Sequence, residues 1–479
     1  MNILLVNPPS PFLLDDRVFP PLGLLQVASV LEHAGHHVKV ADLAGSSDPT
    51  GDLQPHLSWG WDVYGITATT PQFPTAVALL HKIHEYQPDK RVLLGGPHAT
   101  VMPGSCKMFD CVIRGDGELA ILSAIKADAP ALIDEASGTQ KGFVRWAWPA
   151  RHLIDLHSYQ YSLRGLKGTS MMLSQGCPYS CLFCCGRTNA YYRRVRSRSV
   201  DDVVEEMKHL VDTYGIRAVM AFDDEVNLMN SSLLEFCKKI KPLNMKFRAF
   251  VKANLFTDQQ AEAMAEAGFV DVCTGVESGD DRILGVIQKQ TTREINKKYV
   301  DLVRKHGMRS KAFTSLGHPG ETRESAENLK DWLLWARPDD FDVTVITVYP
   351  GTPLWEQREK LPEVSNGHQV CRYMHKSLNK QENGATLYFE ELDYSSDFAF
   401  YKGRPKEYIS HVWTPDLSKT DLVALRDEIE DDVRTKLGIP YPQRFSGDHL
   451  SGAENFEHSM GAGVTKQDSR VQLRAAEAL

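Results

Sequence analysis

Three cysteines, Cys177, Cys181 and Cys184, stand at CxxxCxxC spacing just after Gly176. Three thiolates so close in sequence can hold three irons of a four-iron cluster, whereas an electron-carrying cluster takes four cysteine ligands. The fourth iron then keeps an open position, as a catalytic zinc does. Such an iron can bind a substrate and pass it an electron. A structural zinc would need a fourth ligand and usually paired CxxC units, and the chain has no second CxxC. A disulfide framework is not expected in a long chain without a secretory signal. Cys185 also allows the register CxxxCxxxC, so the third position has two occupants to choose between.

The elements that must carry this loop read as two successive β-α alternations. In the first, strands are expected at Ile3–Val6, Val38–Ala41, Val63–Ala68, Val92–Leu94 and Cys111–Ile113, with helices at Leu22–Leu31 and Ala76–Ile83. This succession implies an α/β fold, a doubly wound parallel sheet of the flavodoxin or Rossmann type, covered on both faces. Ligands of such sheets bind beyond the carboxyl ends of the strands at the topological switch point. Asn7-Pro8-Pro9, Thr67–Thr70 and Gly95–His98 all follow strands and would gather on that edge.

The second alternation starts near Thr169, with strands expected at Met171–Leu173, Ala218–Phe222, Phe247–Val251, Val270–Thr274, Arg309–Ser315 and Val343–Val348. Helices are expected at Val203–Tyr214, Ser232–Ile240, Asp258–Ala267 and Glu294–Lys305. Six such units predict a partial (β/α)6 TIM-like barrel, whose chemistry sits at the carboxyl ends of the strands. The cysteine loop follows the first of them. Asp223-Asp224-Glu225 follows the second strand; crowded carboxylates are costly unless they face water or bind cations or amines, or form an acidic capping turn. Lys252 follows the third, Glu277 and Ser278 the fourth, and Gly317-His318-Pro319-Gly320 the fifth.

The cysteine motif resembles that of the radical S-adenosylmethionine (SAM) enzymes, and the first alternation resembles the cobalamin-binding domain fused to many of them. Asn7-Pro8-Pro9, Pro20–Leu24, Gly95–Ala99 and Arg114–Glu118 occur in that family's order. The resemblance implies a 4Fe-4S cluster on Cys177, Cys181 and Cys184. It implies SAM contacts from Phe183, Asp223, Asp224, Lys252, Glu277, Ser278 and Gly317, and cobalamin contacts from Pro9, Thr67, Thr69, Thr70, Gly95, Gly96 and His98. The histidine motif DxHxxG is absent: Asp155-Leu156-His157 matches its start, but Gln160 stands where the glycine would be. The family commonly lacks that histidine. The implied activity is C-methyl transfer, with SAM cleaved to a 5′-deoxyadenosyl radical and the methyl group carried on cobalamin. A small-molecule substrate and a flavodoxin- or ferredoxin-type electron donor are implied as partners.

The expected organisation is a cobalamin-type domain at 1–145, a linker at 146–167, the barrel at 168–361, a region at 362–444 that closes the barrel and shapes the substrate pocket, and a disordered tail at 445–479. A net charge of −8 gives no global reason to expect nucleic acid or an anionic membrane. A local basic run, Arg187, Arg193, Arg194, Arg196 and Arg198, reads as a solvated loop before it reads as an RNA patch, and arginine also suits carboxylate or phosphate. No stretch is long and apolar enough for a membrane span, and the expected location is the cytoplasm. Two other readings stay open: radical chemistry without methyl transfer, such as cyclisation or rearrangement, and a cobalamin-binding sensor with a structural cluster.

Overall fold

The computed structural model describes residues 1–10, 16–134, 148–185, 189–375, 385–394 and 409–440. The expected tail and Arg187 of the basic run lie outside the described residues. Two compact units emerge, one formed chiefly by Met1–Tyr161 and the other beginning at Ser162.

The first unit is a parallel sheet of β1 (Asn2–Asn7), β2 (His37–Asp42), β3 (Val63–Thr67), β4 (Arg91–Gly95), β5 (Cys111–Arg114) and β6 (Leu132–Asp134), in the order β2-β1-β3-β4-β5-β6. Alternation along β1 feeds both faces. Leu4 and Val6 join a core with Tyr64, Ile66 and Phe73, whereas Ile3 and Leu5 join one with Leu31, Leu93 and Ile121. The strand order reverses between β1 and β3, so the switch point lies where Asn7 and Thr67 end their strands. Gln72 ties the two exits together, its Nε2 donating to the Pro8 carbonyl at 2.7 Å. The expected linker residues Tyr159 and Ser158 belong to this unit: the Tyr159 hydroxyl donates to Asp42 Oδ2 at 2.8 Å, and Arg17 donates to Ser158 Oγ at 2.7 Å.

The second unit opens with β7 (Ser162–Leu163) and β8 (Leu166–Met171), a hairpin turned by Arg164 and Gly165 at φ 54° and 73°. A two-residue ribbon, β9 (Ser174–Gln175) with β10 (Arg196–Ser197), brackets the cysteine loop. Then come β11 (Ala218–Ala221), β12 (Lys246–Phe250), β13 (Phe269–Glu277), β14 (Arg309–Leu316) and β15 (Asp340–Val345). The order β7-β8-β11-β12-β13-β14-β15 is sequential, and from β8 to β15 the strands are parallel. Helix boundaries follow local chemistry. Asp258–Ala267 opens on a Thr257–Gln260 capping box and stops at Gly268, whose φ of 104° admits the αL cap.

Three expectations need correction. The first barrel strand is Leu166–Met171 rather than Met171–Leu173, because its start is fixed by pairing with β7 across the Arg164-Gly165 turn. The sixth is Asp340–Val345 rather than Val343–Val348. Its opening acids belong to the interior: Lys311 Nζ lies 2.8 Å from Asp340 and 3.1 Å from Asp342, and Arg434 reaches Asp340 at 3.3 Å. The third correction is an antiparallel sheet of β16 (Glu359–Ser365), β17 (His368–Met374), β18 (Thr386–Glu391) and β19 (Val412–Trp413), where no strands were expected.

The helix Lys419–Leu437 covers the open edge at β15. Glu430 accepts from the Val343 amide at 2.7 Å, Arg426 donates to the Val343 carbonyl at 3.0 Å, and Arg434 donates to the Phe341 carbonyl. Charged side chains thus satisfy edge groups that would otherwise recruit another strand.

Candidate active site

The cysteine loop leaves β8 and is pinned before it reaches Cys177. Asp223, at the exit of β11, accepts from the amides of Leu173 (3.0 Å) and Ser174 (2.5 Å) and from Ser174 Oγ (2.5 Å). Burial pushes the Asp223 carboxyl up to about 6, against those bonds. Asp224 Oδ2 accepts from the Gly176 amide at 2.8 Å. Gly176 is obligatory: its φ is 90°, and a Cβ there would stand 2.1 Å from the Arg194 carbonyl oxygen. The Cys177 amide donates to the Tyr192 carbonyl at 2.8 Å.

The basic run resolves into braces for this loop. Arg193 donates to the Pro178 carbonyl at 3.0 Å and Arg196 to Gln175 Oε1 at 3.0 Å. Arg198 pairs with Asp202 at 2.6 Å and with the buried Glu206 at 2.5 Å.

None of the four cysteines of the region is in a disulfide; Cys181 is buried and Cys184 exposed. Cys177 feels both Cys184 and the carboxylates Glu225 and Asp224, and burial first, then these anions, push its thiol up to about 11. Cys185 turns away, donating to the Pro350 carbonyl at 3.5 Å. This geometry favours Cys184 in the third position. Among the described residues no three ligand-type side chains already converge on one point, so the loop offers donors rather than a preformed cage.

Facing the loop is a quartet of two lysines and two glutamates. β13 bulges between Gly275 and Glu277, and Glu277 takes φ 63°, a conformation found at few non-glycine residues and often at functional sites. Its Oε1 accepts from Lys289 Nζ at 2.8 Å and its Oε2 from Ser315 Oγ at 2.9 Å. Burial opposes the Glu277 charge, but Lys289 and Ser315 hold the carboxyl below its ordinary value. Lys289 sits between Gln288 and Gln290, both at positive φ, with its ammonium 5.7 Å from the Phe183 ring centre. Lys252 Nζ donates to the Lys289 carbonyl at 2.8 Å and lies 4.4 Å from the Tyr179 ring centre. Asn227 clamps the Lys252 backbone from both sides, at 2.8 and 3.1 Å. Two cations thus rest on the two aromatic rings of the cysteine loop.

Glu225 is the candidate that sequence reasoning passed over in favour of its neighbours. Asp223 and Asp224 spend their oxygens on the loop backbone, whereas Glu225 Oε2 is buried with no hydrogen-bond partner among the described residues. Burial pushes its carboxyl up to about 7 despite the nearby Lys289 and Lys252. A buried unpaired carboxylate oxygen near the Cys177 thiol is what an incoming ammonium would satisfy. The signal was the third place in the acidic triplet, which alone could not say which acid would stay free.

The remaining expected contacts divide. Phe183 is half-buried on Ile283, Leu284 and Ile287, beside the quartet. Ser278 accepts from the Asp280 amide at 3.2 Å and shapes the following turn. At Gly317, φ is 85° and a Cβ would stand 2.8 Å from Val412, so close packing already requires this glycine.

In the first unit, Pro9, Thr67, Thr69 and Gly95 line the strand exits at the switch-point edge, with Thr69 exposed. A Cβ on Gly95 would meet nothing nearer than 4.0 Å, which leaves room for a ligand against the backbone. At Gly96 a Cβ would stand 2.8 Å from Thr67 Oγ1, with φ at 98°, so this glycine serves the turn. His98 and Thr70 need correction as ligand contacts. Both are buried; His98 is fully so, its Nδ1 3.2 Å from Thr70 Oγ1, its Nε2 3.0 Å from Ser105 Oγ, and its ring stacked on Phe73. With both nitrogens occupied, His98 supports the loop from below. Asp155 likewise caps the amide of His157 at 3.0 Å.

Comparison with known proteins places this geometry. Residues 171–333 match the radical SAM superfamily and residues 16–125 the B12 binding domain. An uncharacterized methyltransferase of Pyrococcus horikoshii is 32% identical over 387 residues, 74% of this chain and 83% of the relative. The chain belongs to the cobalamin-dependent radical SAM family. The family's cofactors are a 4Fe-4S cluster, SAM and cobalamin, and the donor thiols, the unpaired Glu225 oxygen and the open backbone at Gly95 fit that set. The protein is therefore an enzyme of the radical SAM class. An anaerobic magnesium-protoporphyrin IX monomethyl ester cyclase of Cereibacter sphaeroides is 25% identical over 389 residues, 72% of this chain and 61% of that relative. The fold is shared with the radical SAM methyltransferase TsrM of Kitasatospora setae, solved with tryptophan and a SAM analogue, at TM-score 0.63 and 20% identity over 76% of this chain and 79% of TsrM. Among the described residues no helix is long and apolar enough to cross a membrane.

Proposed function

We propose that this enzyme transfers a methyl group to an unreactive carbon of a small-molecule substrate, with Met1–Tyr161 as the cobalamin domain and the SAM-cleaving barrel in the unit that opens at Ser162. The observation that carries the reading is the extent of the match to a methyltransferase relative, 83% of its length, in a chain that keeps both the three-thiol loop and the switch-point sheet. Bound, the cluster supplies the electron that splits SAM, and cobalamin supplies the methyl group.

The chain's own residues divide the work. Cys177, Cys181 and Cys184 hold the irons. Glu225 and Lys252 receive the amino and carboxylate ends of SAM, and Glu277, ionised and fixed by Lys289 and Ser315, accepts from the ribose hydroxyls. Asp223, Asp224 and Arg193 hold the loop so that these groups act on a rigid target. In the first unit Pro9, Thr67, Thr69 and Gly95 receive cobalamin. The antiparallel sheet β16–β19, which starts at Glu359, shapes the substrate pocket together with the helix Lys419–Leu437. A flavodoxin- or ferredoxin-type protein supplies the electron.

The cyclase relative supports a second reading, radical rearrangement without methyl transfer. Anaerobically reconstituted protein with cobalamin, reductant and methyl-deuterated SAM separates the two. Both 5′-deoxyadenosine and S-adenosylhomocysteine are expected for methyl transfer. Sustained 5′-deoxyadenosine release without S-adenosylhomocysteine would assign the second reading.

A further inference from the structure

Ser315, near the end of β14, has one hydroxyl proton and two neighbours that compete for it. Its Oγ lies 2.9 Å from Glu277 Oε2 and 2.9 Å from His318 Nε2. Glu277 is the ionised partner of Lys289, and a carboxylate only accepts, so the serine proton goes to Glu277. Ser315 Oγ is then the acceptor for His318, which must carry its proton on Nε2. A neutral imidazole has one proton, and burial holds His318 neutral, down at about 4. Nδ1 is therefore a bare lone pair. It is buried, on a side chain that is 0% exposed, and has no hydrogen-bond partner among the described residues.

A buried acceptor left unpaired is rare and calls for a partner that arrives later. The His318 ring lies 5.4 Å from the ring of Phe183, the residue before Cys184, and belongs to the chain Lys289–Glu277–Ser315–His318. Phe183 presents a flat apolar face, which suits a planar base. We propose that His318 Nδ1 accepts a hydrogen bond from the nucleoside half of SAM, either the exocyclic amino group of the base or a ribose hydroxyl. This rests on the placement of SAM against Glu277 given above. His318 thereby contacts the cofactor through Nδ1 and, through Nε2 and Ser315, orients Glu277.

The test compares binding, not turnover. Anaerobic calorimetry on cluster-reconstituted protein measures the affinity of SAM, of its 6-desamino base analogue and of its 2′- and 3′-deoxy analogues. His318→Gln keeps a donor near Ser315 and removes the Nδ1 acceptor, whereas His318→Asn keeps a polar acceptor close to Nδ1. H318Q is expected to bind SAM about tenfold more weakly and to lose the wild type's discrimination against one analogue class, with H318N retaining it. Lost discrimination against the desamino analogue assigns the base amino group; against a deoxy analogue, the hydroxyl. If H318Q weakens SAM and every analogue equally, or changes none, the Nδ1 contact is overturned while the SAM site stands. If wild-type protein with a full cluster binds no SAM, the underlying site assignment falls with it.

Discussion

Lys289 Nζ stands 2.8 Å from Glu277 Oε1, and a Cβ on Gly275 would stand 2.4 Å from the same oxygen. The pair occupies the space that the absent Cβ leaves, so the glycine and the ion pair are one feature. Breaking one side of a largely buried pair leaves an uncompensated charge. Lys289→Met is expected to lower the unfolding free energy by about 3 kcal/mol. The double variant K289M/E277L regains most of that stability without regaining SAM affinity. Urea titrations and anaerobic SAM binding measure the two effects separately.

Cys185 is the internal control for the cysteine motif. Cys177→Ala, Cys181→Ala and Cys184→Ala are each expected to abolish cleavage of SAM and to lower iron and sulfide content after reconstitution. Cys185→Ala keeps both, because its thiol already serves the Pro350 carbonyl. Wild-type cleavage by C184A together with its loss in C185A would reverse the register.

Gly176→Ala is expected to be far more damaging than its size suggests. A methyl group 2.1 Å from the Arg194 carbonyl oxygen must displace backbone, at a φ of 90° that alanine also resists. Cluster incorporation falls to near zero while far-UV circular dichroism changes little. Asp223→Asn, which keeps an acceptor for the Leu173 and Ser174 amides, is the milder change, with partial incorporation.

His98 makes the first unit sensitive to acid. Burial lowers its folded value to about 4, against an unfolded value of 6.5. The unfolded chain takes up a proton first as pH falls, so the stabilisation is full above 6.5 and is lost as pH falls through the window from 6.5 to about 4. The whole window is worth about 3 kcal/mol. Stability of this unit, followed by denaturant titration between pH 7 and pH 4.5, is expected to decline in wild type and to be flatter in His98→Gln. Parallel curves would show that His98 does not carry the effect.

Removing the helix Lys419–Leu437 bares the β15 edge, including the Val343 amide that Glu430 now occupies. A chain ending after Leu417 is expected to associate with increasing concentration, measured by light scattering. A monomeric, thermally unchanged truncation would show that the helix is not what protects that edge.

Residue types and their spacing already carry the chemistry and the frame. Three cysteines at a spacing that leaves one iron open, two β-α alternations, and loops with functional side chains at strand ends are local patterns, set by residue type and period. They placed Cys177, Lys252 and Glu277 on one rim without coordinates. What the tertiary structure decided is which of several equivalent groups remained free. Asp223, Asp224 and Glu225 are alike in sequence, but backbone amides engage the first two and leave one oxygen of the third unpaired. His98 and His318 both follow glycine turns, but one has both nitrogens occupied and the other keeps one bare. Asp340 and Asp342 read as loop residues until Lys311 and Arg434, distant in the chain, supply the charge that lets them enter a strand. A hydrogen-bond acceptor is spent or free according to the donors that long-range packing brings to it, and a local sequence pattern carries no record of those donors.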